Sequence, residues 1–308
     1  MKVIFMGNPA IANPVLHVVH DSRHDLLGVV SNGPKEIGRG RSFQHTAVGK
    51  LAHELGLNFI PVHSLKDESF RAKLKSYNPD IFVVVAFRIL PKSLLEIPRM
   101  GAVNLHTSLL PKYRGAAPIQ HALLNGDNET GITTFLIEAE IDTGAILLQK
   151  KISISPKDNF GTLSEKIADA GANLVLKTLD QLDEGLIQPT PQNDKLATGA
   201  PKITQEMCKI DWSESAEKNH NKVRAFSPSP GAYTLLKGKR VKIFNTSLSF
   251  ERAGTTGSIS LLDKNRMAVN CGAGQLELLE VQLEGKRRMT MAECLRGMHI
   301  VTGDSIGE

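Results

Sequence analysis

An amide, an imidazole and a hydroxyl stand at alternating positions in Asn104-Leu105-His106-Thr107-Ser108, where an apolar segment ends and a basic, glycine- and proline-marked run to Gln120 begins. Successive strand side chains point to opposite faces, so Asn104, His106 and Ser108 project one way and Leu105 the other. A solitary strand histidine is more often a hydrogen-bonded core group than a catalyst. Three polar side chains in register at a strand terminus, followed by a breaker, are hard to explain by packing. Downstream, Thr133–Leu148 reads as two apolar strands flanking an acidic turn, which can return Asp142 to the same end of the sheet as a partner for His106. The set suits acyl transfer. Asn104 can donate to a developing oxyanion, His106 can add a hydrogen bond or relay a proton, and Asp142 can orient the imidazole and accept a proton. A hydrolytic triad of Ser108, His106 and Asp142 ranks behind, because Ser108 lacks the sharp GxSxG elbow and the triad leaves Asn104 without a task.

The block Asn104–Gln120, with Glu140-Ile141-Asp142-Thr143-Gly144, resembles the folate-dependent formyltransferases. Met1–Gly7, Ile37–Arg41, Val83–Phe87, Ile89–Pro91, Ile210–Ser213 and Arg224–Gly231 fall in that family's order, so the resemblance spans nearly the whole chain. It implies catalytic roles for Asn104, His106 and Asp142 and a folate pocket formed by Phe87, Arg88, Ile89 and Leu90 together with Ser108, Leu109, Leu110 and Pro111 and the turn Ile137–Asp142. The co-substrate it implies is 10-formyltetrahydrofolate, and the implied acceptor is initiator methionyl-tRNA. Arg39 and Arg41 fall on a basic loop that in this family meets the tRNA acceptor end, where a guanidinium suits phosphate binding and stacking. Two departures stand out: Phe87-Arg88 replaces a longer Tyr-Gly stretch, and Thr107 occupies a position that is usually small. The alternative acceptor is a small molecule, as in family members that formylate sugars or nucleotides or hydrolyse formyl-folate. A catalytically idle nucleic-acid-binding protein is disfavoured by the intact Asn, His and Asp.

The elements that must position these residues follow from the rest of the chain. Its 308 residues suggest two domains, and 41% hydrophobic with 22% charged residues is a globular composition. No apolar run approaches the roughly 20 residues needed to span a bilayer, and Met1–Gly7 reads as a strand and not a signal peptide, so a cytoplasmic protein is expected; a monomer is expected as well. Three scattered cysteines, Cys208, Cys271 and Cys294, indicate neither a disulfide framework nor a metal site, and no metal is expected. His17, His20 and His24 read as a solvated helix end. The net charge of +5 permits a polyanionic partner. From Gln205 onward there are 15 Lys and Arg against 12 Asp and Glu, with Lys237, Lys239, Arg240 and Lys242 clustered on one hairpin-like stretch expected to contact tRNA.

Short β-rich runs alternate with helical patterns through the first half, the signature of a parallel sheet. Strands are expected at 3–6, 27–31, 58–61, 81–86 and 102–106, and helices at 9–21, 45–55, 65–76 and 159–184, the first capped by Asn8 with Pro9 at its first position. Gly7 lacks the companion glycines of a dinucleotide fingerprint and reads as relief of crowding in a strand-to-helix turn. The expected organisation is an α/β, Rossmann-like formyltransferase domain over 1–188, a linker over 189–205 and a C-terminal domain over 206–308. The last contains a helix near 213–225 and short strands that read as a small β-barrel, OB-like by the family resemblance.

Overall fold

The computed structural model describes residues 1–37, 42–249 and 254–307. Its strands are β1 (Lys2–Gly7), β2 (Asp25–Asn32), β3 (Lys35–Ile37), β4 (Ser42–Gln44), β5 (Phe59–Val62), β6 (Ile81–Val85), β7 (Ala102–His106), β8 (Glu129–Leu136), β9 (Ile146–Ser153), β10 (Ala232–Leu236), β11 (Lys239–Ser249), β12 (Ile259–Asp263), β13 (Arg266–Asn270), β14 (Gln275–Leu283) and β15 (Met289–Thr290). The helices are α1 (Asn13–His20), α2 (Ala47–Glu54), α3 (Glu68–Ser76), α4 (Lys92–Leu95), α5 (Pro118–Leu124), α6 (Phe160–Asp183), α7 (Ala216–Phe226) and α8 (Met291–Gly297).

One sheet runs in the order β5-β2-β1-β6-β7-β8-β9, parallel through β7 and antiparallel at β8 and β9. Its central strands are continuous apolar runs because helices cover both faces: Val3, Ile4, Phe5 and Met6 in β1 and Ile81, Phe82 and Val83 in β6 are fully buried. The chain winds outward from β1 to β5, then resumes on the other side at β6. The carboxyl ends of β1, β6 and β7 therefore face the crevice where α/β sheets build their sites.

Local chemistry sets the helix starts. Thr46 accepts from the Gly49 amide at the head of α2, and Asp67 accepts from Ser69 at the head of α3. The expected cap at Asn8 is not one. Its carboxamide oxygen accepts from the Ser31 hydroxyl and the Asn32 amide, tying β1 to β2, while a single 3-10 turn at Ala10–Ala12 precedes α1, whose early proline is Pro14. A Cβ on Gly7 would lie 3.1 Å from Ala12, Phe5 and the Val85 carbonyl, which accounts for the glycine. His17 and His20 are exposed on α1, but His24 is buried beyond it.

The second sheet is antiparallel, ordered β10-β11-β14-β13-β12 with β15 paired to β14. The chain thus joins a mostly parallel α/β domain to an antiparallel C-terminal one. By contacts, one compact unit comprises Met1–Gly115, Glu129–Ser153 and Ser164–Gly199, and the other comprises Ala116–Asn128, Ile154–Leu163 and Ala200–Glu308. The stretch expected as a linker is thus counted with the first unit as far as Gly199. The three cysteines are buried, and none is in a disulfide among the described residues. Among the described residues, no helix is long and apolar enough to cross a membrane, and no group of three His, Cys, Asp or Glu could hold a metal.

Candidate active site

Asn104 and His106 lie on β7, which is held between β6 and β8: Asn104 pairs with Val84 and Phe135, and His106 with Thr133. Leu105, on the opposite face, presses on Gly171 of α6 so closely that a Cβ there would collide with it. That contact seats the strand end. Asn104 is half-buried, and among the described residues its side-chain amide has no hydrogen-bond partner. Both of its N–H groups are free to donate.

His106 is only 6% exposed, with the Phe135 ring nearly perpendicular to its own and the centroids 6.4 Å apart. Its Nε2 lies 2.8 Å from the Tyr113 carbonyl and its Nδ1 lies 3.6 Å from Asp142 Oδ2. A carbonyl can only accept, so Nε2 carries the proton and, in the neutral ring, Nδ1 presents its lone pair to the carboxylate. Burial pushes the imidazole below its ordinary range, against the opposing pull of Asp142 and the Tyr113 carbonyl. The ring is neutral near pH 7, oriented by Tyr113 rather than by a hydrogen bond to Asp142.

Asp142 sits in the loop between β8 and β9 at φ +56°, a left-handed conformation that Asp tolerates better than most residues. Its Oδ2 accepts from the Gly115 amide at 2.8 Å. Gly144 is obligatory nearby, because a Cβ there would run into the Leu136 carbonyl. Tyr113 (φ +61°) and Ala86 (φ +46°) are further left-handed residues after β7 and β6, and such outliers cluster at functional sites.

The segments expected to hold folate border this face. Ala102, two residues before Asn104 and therefore on its side of the strand, belongs to a buried cluster with Phe82, Val84, Leu90 and Leu94 on which Phe87 and Ile137 pack, still partly open. Arg88 is spent on the protein: its Nη atoms donate to the carbonyls of His63 and Val62. Ile89 is exposed. Ser108 is fully buried and donates to the Lys112 carbonyl; Leu110 is core, while Leu109 and Pro111 are half-buried. Thr133 and Gln149, which carry no mark of function in the sequence, shape this loop: the Thr133 hydroxyl donates to Ser108 O, and Gln149 Nε2 donates to Leu110 O.

Arg39 and Arg41 lie outside the described residues. On the β10–β11 hairpin, Lys237 bonds the His299 carbonyl and pairs with Asp304 at 3.2 Å, and Lys242 donates to the Pro230 carbonyl. Arg240 stacks over Tyr233, 4.4 Å from its centroid. Lys239 is exposed and has no partner among the described residues.

Residues 1–179 match the family described as formyl transferase, and residues 202–299 match the formyl transferase C-terminal domain. The methionyl-tRNA formyltransferase of Thermodesulfovibrio yellowstonii is 45% identical over 302 residues, covering 98% of this chain and 97% of its own. An N-formyltransferase from Helicobacter canadensis, solved with folinic acid and dTDP-3-aminofucose, superposes with a TM-score of 0.68 at 20% identity, covering 90% of this chain and 98% of its own. The corresponding values for methionyl-tRNA formyltransferase from Clostridium thermocellum are 0.58, 16%, 92% and 98%. At these identities the two structures establish the fold.

Proposed function

The chain belongs to the methionyl-tRNA formyltransferases, and on that premise we propose that Asn104, His106 and Asp142 carry formyl transfer from 10-formyltetrahydrofolate to the α-amine of initiator methionyl-tRNA. Formylation of methionyl-tRNA, which prepares the chain-starting residue for translation, is the activity of the full-length relatives. The observation that carries the residue assignment is the juxtaposition of an unpartnered amide, Asn104, with a neutral imidazole whose lone pair faces a fixed carboxylate.

In the reaction the amine nitrogen attacks the formyl carbon, charge gathers on the formyl oxygen, the bond to the folate nitrogen breaks and that nitrogen takes up a proton. Asn104 donates to the oxygen as it becomes anionic. His106 has no free N–H to add there while Nε2 is held by Tyr113. It works instead with Asp142: two acceptors 3.6 Å apart form one proton position, and a proton shed by the new ammonium is held as Nδ1–H between them. One proton leaves the amine and one reaches the departing folate nitrogen, so the pair ends as it began. The partly open side chains of Phe87 and Ile137 support a folate ring seated beside Asn104.

The test is single-turnover formylation of charged initiator tRNA with 10-formyltetrahydrofolate, with an amino sugar nucleotide and glycinamide ribonucleotide as rival acceptors. Wild type should formylate the tRNA alone. Asn104→Ala should lower the rate by about 10²–10³, the usual loss of an oxyanion donor, with folate affinity retained. Preference for a small acceptor, or a near-normal rate in a folded Asn104→Ala protein, would defeat the acceptor or the oxyanion assignment respectively.

A further inference from the structure

The carboxylate at the centre of this site is held by a segment with no catalytic signature. Gln192 extends its amide nitrogen to two carbonyls of the Asp142 turn, donating to Asp142 O and to Gly144 O at 2.8 Å each. A primary amide has two N–H groups, and here each has one acceptor. The amide oxygen is gripped from the other side: Arg114 Nε and Nη2 donate to Gln192 Oε1 at 3.1 and 2.8 Å, and the same Nη2 reaches Asp194 at 2.7 Å.

The backbone around Gln192 is laced to the same loops. Thr190 and Ile146 exchange both amide hydrogen bonds at 2.8 Å just after the Asp142 turn. Thr198 accepts from the Arg114 amide through its carbonyl and from the Tyr113 amide through its hydroxyl. Residues 190–198 thus join the turn that bears Asp142 to the loop that supplies the Tyr113 carbonyl to His106 and the Gly115 amide to Asp142.

We infer that Gln192, gripped by Arg114, is a positioning residue that fixes the Asp142 turn in its left-handed conformation and so sets the carboxylate against His106 Nδ1. The inference rests on the proposed role of Asp142. Gln192 itself reaches no reacting atom. Its amide closes the turn from behind, at the two carbonyls that a left-handed residue and the glycine two positions on turn toward it.

The test is steady-state kinetics of the full chain. Gln192→Ala should lower kcat roughly ten- to a hundred-fold, the range for outer partners of a functional group, with KM for tRNA and for folate unchanged. Gln192→Glu is the sharper variant, because its carboxylate keeps Arg114 but has no N–H to give. It should lose as much rate while melting with wild type, and it decides the matter if the alanine variant folds poorly. In an Asp142→Asn background, Gln192→Ala should cost nothing more. Full kcat in both Gln192 variants, a change confined to the KM for tRNA, or an undiminished loss in the Asp142→Asn background would overturn the inference. An active Asp142→Asn enzyme would instead remove the catalytic reading beneath it.

Discussion

Between His106 Nδ1 and Asp142 Oδ2, 3.6 Å apart, there is room for one proton. Burial holds the ring below the ordinary imidazole value of about 6.5, so near pH 7 it is mainly neutral. The attacking amine changes charge there, since α-amino groups titrate near about 7.7. The rate, kcat/KM, should therefore rise through neutrality to mildly alkaline pH on a single limb belonging to the substrate. A pH-rate profile checks this; a limb near about 6.5 that vanishes in His106→Asn would show the ring titrating. Strand alternation and the acidic turn anticipated that Asp142 would come to His106 at the end of β7, as it does; the proposed roles rest on residue type, because acyl transfer needs a donor, a base and a carboxylate. Which nitrogen of His106 is protonated was not legible, because a backbone carbonyl decides it. Gln192 was not legible either: a glutamine among Pro, Asn, Asp and Thr carries no periodicity and no chemistry of its own.

Elements followed the sequence where one force dominated. The buried runs of β1 and β6 and the amphipathic length of α6 are set by apolar burial, about 1.5–3 kcal/mol per large side chain, and they lie close to where the pattern puts them. The start of α1 differs because Asn8 finds acceptor duty in the sheet instead of at a helix end. In the C-terminal unit, α7 packs against β11, and His220 Nδ1 lies 2.8 Å from the Thr246 hydroxyl. Burial, helped by the positive charge of Arg224, lowers His220 to about 4. The unfolded chain binds this proton nearer 6.5, so stability from His220 is full above that value and declines as pH falls toward 4. Melting temperature should drop across that window, and His220→Gln should flatten part of the drop. An unchanged slope in the variant would mean that other groups carry it.

On the scale of the whole molecule, the net charge of +5 matters through its distribution. Lys237 is engaged by Asp304, which leaves Lys239 and the stacked Arg240 as the more available cations of the hairpin. If they meet phosphates, tRNA affinity must fall with salt, and each phosphate-binding cation removed should reduce the slope of log K against log salt by about 0.7–0.9. Lys239→Ala with Arg240→Ala should flatten that slope measurably, Lys237→Ala should flatten it less, and folate affinity should stay constant in all. Removal of Arg39 and Arg41 should weaken tRNA binding without touching folate; loss of folate binding would mark them as structural. A parallel α/β part followed by an antiparallel β part was legible from the change of periodicity. The interlacing of their segments was not, because residues 116–128 and 154–163 bear no mark of the unit with which they pack. The strap at 190–198 has a bearing on ancestry as well as on chemistry. The match to the formyl transferase domain ends at residue 179 and that to its C-terminal domain begins at residue 202, so residues 190–198 lie between the two. If Gln192 positions Asp142 as inferred, an exchange between relatives at the foot of α6 parts Gln192 from its Arg114, and such a chimera should turn over more slowly than either parent.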